Sequence, residues 1–168
     1  MTQPIHTVLI VEDSPAQALA LINLLHRHDL NVLSAPDGLM GLSLALHARP
    51  DAIVLDLEMP GKNGLEVCQA LKANPHTADI PVIMLTAHAE PAVMQMCLEF
   101  NATDFIPKDA FSDRVLLETL RQLHILDQPE STPKPPRATP DVVAAKERLE
   151  HTAESTPRPP RETPDART

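Results

Sequence analysis

Residues 51–64 read DAIVLDLEMPGKNG, and the run AIVL inside them meets an acid, Asp56. A short run with no polar alternation marks a strand covered on both faces, as in a parallel sheet. Residues 8–11 (VLIV) and 82–85 (VIML) repeat the pattern. A run broken by a serine at 32–35 (VLSA) and a weaker one at 105–106 bring the expected strands to five.

The stretches between these runs read as helices. Ser14 serves as an N-cap, Pro15 takes the first helical position and Gln17 is placed to close a capping box. Ala18, Ile22 and Leu25 then fall on one face. Asp37 caps a second helix to about residue 47, and a third covers about 64–73, ending before Pro75. Pro91 opens the fourth, with Val93, Met96 or Cys97, and Phe100 inward and Asn101 as a left-handed cap. The fifth, about 111–123, aligns Leu116, Leu120 and Leu123. Five βα units predict a three-layer (βα)5 doubly wound α/β domain with right-handed crossovers. Periodicity leaves the strand order open.

Composition sets the boundaries. Residues 1–126 hold nine prolines, and residues 127–168 hold nine in a third of that length. The first part is therefore the expected folded domain and the second a disordered, proline-rich tail. The net charge of −9 argues against a nucleic-acid partner, because phosphate contacts need clustered Lys and Arg. No segment has the apolar length of a membrane span, and MTQPIHT is no signal peptide. Cys68 and Cys97 lack any CxxC or Cys/His grouping, so buried, reduced thiols and a cytoplasmic location are expected.

In open α/β sheets ligands bind beyond the carboxyl ends of the strands. Those ends carry Glu12 and Asp13 after the first strand, Asp56 after the third, Thr86 after the fourth and Lys108 past the fifth. Three clustered carboxylates need a cation, and oxygen donors without His or Cys select Mg²⁺, with Mn²⁺ as the substitute. Such a set suits phosphoryl transfer to a carboxylate. Asp56 is the expected nucleophile, Asp13 and Asp56 metal ligands, and Glu12 the partner of metal-bound water. Lys108 and Thr86 would meet phosphoryl oxygens.

The segments VLIVEDS, APDG, DAIVLDLEMPGKNG, IPVIMLTA and ATDFIPK, in this order, make residues 7–126 resemble the receiver domain of bacterial two-component response regulators. Within that family it resembles the single-domain chemotaxis or pilus-motility type. The resemblance implies a flavodoxin-like strand order 2-1-3-4-5 and a phosphohistidine donor on a sensor histidine kinase or phosphotransfer protein. It implies that the Glu58 backbone carbonyl joins the metal ligands, and that Thr86 and Phe105 move together on switching. Output would pass by protein contacts through the helix 4/strand 5/helix 5 face to an unknown target. The family usually has Lys-Pro with a cis peptide, whereas this chain reads Pro107-Lys108-Asp109. A cis bond there would cost roughly 3 kcal/mol, so either the fold bears that or the loop is rebuilt. Glu58 and His88, the positions most open to attacking water, are expected to set the phosphoryl lifetime.

In the tail, 130–141 (ESTPKPPRATPD) recurs as 154–165 (ESTPRPPRETPD), each with a PxxP spacing that favours polyproline II. A docking tether for a polyproline-binding partner and a plain solvated extension both fit. Asp141 is placed to cap a short helix over 142–153. The tail is too short and too polar for a DNA-binding output domain. Three other functions share parts of this pattern. A haloacid-dehalogenase-type phosphatase needs a second Asp two residues after the first, where Glu58 stands. A flavin module needs a phosphate loop where Glu12-Asp13 lies. A phosphorylation-independent docking scaffold remains as the alternative to a phosphoacceptor that is not a turnover enzyme.

Overall fold

A computed structural model describes residues 5–61 and 63–127. Its elements alternate strictly: β1 (Thr7–Val11), α1 (Pro15–His26), β2 (Asn31–Ala35), α2 (Gly38–Ala48), β3 (Ala52–Asp56), α3 (Gly64–Ala73), β4 (Val82–Thr86), α4 (Pro91–Glu99), β5 (Asp104–Pro107) and α5 (Ser112–Gln122). The five strands are parallel in the order β2-β1-β3-β4-β5, the flavodoxin-like α/β arrangement. The tail repeat and the helix expected at 142–153 lie outside the described residues.

The apolar runs are buried because each strand feeds two cores. Val8, Ile10, Val54, Ile83, Leu85 and Ile106 pack with Leu24 and Leu25 of α1 and Leu116 and Leu120 of α5. Leu9, Val11, Ile53, Leu55 and Met84 pack on the other face with Ala45, Val67, Cys68, Leu71 and Cys97. In β3 and β4 every residue is buried. Strand periodicity of two thus sends alternate side chains to opposite layers, which is why the runs are apolar at successive positions. Cys97 faces the core at 1% exposure and Met96 is 44% exposed, which resolves the inner stripe of α4. Ile125 and Leu126 are the last core residues among those described.

Several local signals act as the sequence suggests. Asp37 accepts from the Met40 N–H at 2.8 Å, and Asn101 adopts φ 59° after α4. Asn63, an unpredicted cap, accepts from the Glu66 N–H at 3.0 Å. The α1 capping box is only half made. Ser14 Oγ accepts from the Gln17 N–H at 3.5 Å, but the Ser14 N–H donates to Glu12, and the Gln17 side chain turns elsewhere. Gly64 is required sterically: a Cβ there would strike the Asp56 carbonyl oxygen, so α3 starts hard against the end of β3. Both cysteines are free and buried. No helix among the described residues is long and apolar enough to cross a membrane.

Candidate functional site

The register brings the strand ends together. β3 lies between β1 and β4, so Asp56 is flanked by the residues leaving β1, Glu12 and Asp13, and by Thr86 at the end of β4. β5 pairs with β4, and the Lys108 N–H donates to the Thr86 carbonyl at 2.6 Å, carrying the lysine to the same edge. One carboxylate oxygen from each of Glu12, Asp13 and Asp56 lies within 4.8 Å of the others. Glu12 and Asp56 are each 3% exposed, while Asp13 is exposed.

Lys108 ties this cluster together. Its Nζ lies 2.9 Å from Glu12 Oε2, 3.1 Å from Asp56 Oδ1 and 2.7 Å from Gln17 Oε1. Burial alone would lower its pKa, but hydrogen bonds and charges from Glu12 and Asp56 outweigh that and raise it. For Glu12 burial dominates and pushes the carboxyl above its ordinary range. Hydrogen bonds from Lys108 and the Ser14 N–H oppose the rise, and the Asp56 charge adds to it. Among the described residues one ammonium faces two buried carboxylates and a third at the rim, a net negative cluster. Oxygen-only donors with excess negative charge fit a hard divalent cation.

The lysine is aimed without the family's usual turn. No peptide among the described residues is cis. Asp109 instead uses groups a proline could not offer: its N–H donates to the Pro107 carbonyl at 3.0 Å. Its carboxylate accepts from the Phe111 N–H at 2.8 Å, opening α5. The loop is therefore rebuilt around Asp109, and Lys108 still reaches Asp56.

Thr86 is fully buried, yet its hydroxyl bonds away from Asp56, to Glu58 Oε1 at 3.0 Å. The Glu58 N–H donates to Asp56 Oδ1 at 3.2 Å. His88 is 71% exposed, with Nε2 3.9 Å from Glu58 Oε1. Phe105 is half-buried against the α2/α3/α4 core. All sequence-predicted site residues thus lie at one edge, with Phe105 on the adjoining strand. The sequence did not foresee the contacts of Lys108 with Glu12 and Gln17, nor that of the Glu58 side chain with Thr86. Position three of α1, one turn past the acidic pair, was a signal for Gln17 that the capping reading absorbed.

Residues 8–121 match the family of response regulator receiver domains. The chain belongs to that family. Over 132 residues the chain is 35% identical to the response regulator MprA of Mycobacterium sp. (strain KMS), covering 79% of this chain and 56% of that protein. The chain thus spans about half the length of the first curated relatives it matches. It is 33% identical over 113 residues to protein PilH of Pseudomonas aeruginosa, covering 67% of this chain and 93% of PilH. Among solved structures, the receiver domain of a Pseudomonas aeruginosa sensor histidine kinase, with magnesium coordinated in its active-site cleft, matches with a TM-score of 0.65. That match has 26% identity and covers 71% of this chain and 98% of that one.

Proposed function

We propose that this receiver domain accepts a phosphoryl group on Asp56 and relays the event as a change in protein contacts. The observation that carries this reading is Asp56 itself: buried at a strand end, 3.1 Å from a lysine ammonium and beside two more carboxylates. A carboxylate that only stabilised the fold would not be placed among like charges.

A donor of the sensor histidine kinase or phosphotransfer class would present a phosphohistidine. An Asp56 oxygen attacks phosphorus, the P–N bond breaks, and the imidazole keeps the electron pair and takes up a proton. Asp13, Asp56 and the Glu58 carbonyl would hold Mg²⁺ (or Mn²⁺), with Glu12 on its water, and the ion would supply charge neutralisation for the phosphoryl oxygens. Lys108 shifts from carboxylate to phosphoryl oxygen, and Thr86 donates its hydroxyl to another. With the bound magnesium of the kinase receiver as precedent, the acidic cluster here fits the same ion.

Switching would pair the turn of Thr86 with movement of Phe105. Output would pass through the α4/β5/α5 face, and exposed apolar side chains are available on α4 (Met94, Met96, Leu98) and at the start of α5 (Phe111, Val115). The match covers 93% of PilH but about half of the DNA-binding regulators RpaA and MtrA, and the reading proposed for this chain is action through protein contacts. The domain labels itself once and releases phosphate slowly, at a rate set by Glu58 and His88, and is not a turnover enzyme. A cytoplasmic location and a polyproline-binding partner for the tail complete the reading. Intact mass after incubation with acetyl phosphate and Mg²⁺ tests it. Wild type gains one phosphoryl group and Asp56→Asn gains none; equal labelling of the two refutes it.

A further inference from the structure

We propose that Glu58 is a latch on the switch: its side chain holds the Thr86 hydroxyl in the unphosphorylated orientation and opposes activation. This rests on the phosphoacceptor reading above and assigns Glu58 a role apart from its backbone carbonyl and from phosphoryl lifetime.

The grip has two points. Thr86 Oγ1 donates to Glu58 Oε1 at 3.0 Å, and the Ala87 N–H donates to Glu58 Oε2 at 3.3 Å. One carboxylate therefore ties the first two residues at the end of β4 to the loop after β3. The His88 carbonyl, at 3.1 Å, is a second acceptor for the same hydroxyl proton, and the His88 N–H donates back to Thr86 Oγ1 at 3.0 Å. Among the described residues no hydrogen bond joins Thr86 Oγ1 to Asp56. The His88 imidazole is too exposed and too distant to supply the hold.

A threonine hydroxyl has one proton to donate. If Thr86 gives it to a phosphoryl oxygen on Asp56, Glu58 must lose it. The two bonds exclude each other, so whatever stabilises the first weakens the second by the same free energy. A bond to a carboxylate is of the stronger, charge-assisted kind. Glu58 is partly exposed, so water can take over its released oxygen, which keeps the latch reversible.

A double-mutant cycle on the full chain tests this with beryllofluoride and Mg²⁺ as the phosphoryl mimic. Calorimetry is the readout, because the chain has no Trp or Tyr to report by fluorescence. Glu58→Ala should bind the mimic about 5- to 10-fold more tightly than wild type. Glu58→Gln, which keeps an acceptor oxygen, should fall between them. In the Thr86→Ala background the competing hydroxyl is gone and only the Ala87 N–H contact remains, so Glu58→Ala should change affinity less than about twofold. An unchanged or weaker Glu58→Ala, or an equal gain in both backgrounds, overturns the latch, the latter leaving charge repulsion alone. Wild type that ignores the mimic contradicts the phosphoacceptor reading instead. Ala87 amide exchange then decides the latch: Glu58→Ala should accelerate it about fivefold or more, and an unchanged rate overturns the proposal.

Discussion

The two ends of the sheet share the same five strands but treat polar groups in opposite ways. At the amino end, the Thr7 N–H donates to Asp51 Oδ2 at 2.7 Å, Asn31 Nδ2 donates to Thr7 Oγ1 at 3.2 Å, and His6 lies 3.5 Å from Asp51, all near solvent. These groups tie β1, β2 and the entry to β3 together and carry little free energy. At the carboxyl end, Glu12, Asp56 and Thr86 are buried, and among the described residues a single ammonium lies among the acids. Desolvating like charges is unfavourable unless something is gained by it. The contrast teaches that one end is built for folding and the other for chemistry.

Breaking the ion pairs at the carboxyl end has the largest expected effect. Lys108→Ala strands two buried carboxylates, and urea unfolding should show a loss of about 3 kcal/mol, with Mg²⁺ restoring part of it. Labelling by acetyl phosphate should fall as well. Should Lys108→Ala be as stable as wild type, the cluster is less desolvated than its exposure implies.

Gln17→Ala sharpens the comparison, because it removes an acceptor from Lys108 without touching a charge. Labelling should slow about three- to tenfold, in keeping with one hydrogen bond of 0.5–1.5 kcal/mol, while stability changes by less than about 1 kcal/mol. At the amino end, Asp51→Ala should lower stability by about 1 kcal/mol or less and leave labelling untouched. A labelling defect there would erase the division between the two ends.

The smallest effect is set by pH. Lys108 has a raised folded pKa, so its stabilisation is complete below the unfolded value near 10.4 and is lost as pH rises through the folded one. Burial holds the Cys68 thiol up at about 11 and raises Cys97 as well. Both should resist iodoacetamide in the native domain at pH 8 and react once it is unfolded. Urea midpoints should accordingly hold steady to about pH 9 and decline above it. Rapid alkylation of the native thiols would contradict their burial.

Strand positions and the strand-end residues were legible in the sequence because uninterrupted apolar runs admit one layered solution, and ligand chemistry in that solution sits at one edge. Asp56, Thr86 and Lys108 were found that way, and the family resemblance supplied the strand order. Partner choice was not legible. Lys108 had several oxygens within plausible reach, and which of Glu12, Asp13 and Gln17 it takes depends on how α1 leaves β1 in space. Gln17 read as a cap residue because its sequence position fits that role; a competing ammonium drew its side chain away. The Asp109 turn was hidden for a similar reason, since Pro107 before the lysine does not say how the chain continues.

Borohydride trapping of the acyl phosphate tests the central claim most directly. With acetyl phosphate and Mg²⁺, reduction should convert residue 56 alone to homoserine, and omitting Mg²⁺ should abolish the conversion. Trapping at another acid, or none with a competent donor and Mg²⁺ present, would contradict the assignment of Asp56 as the phosphoryl acceptor.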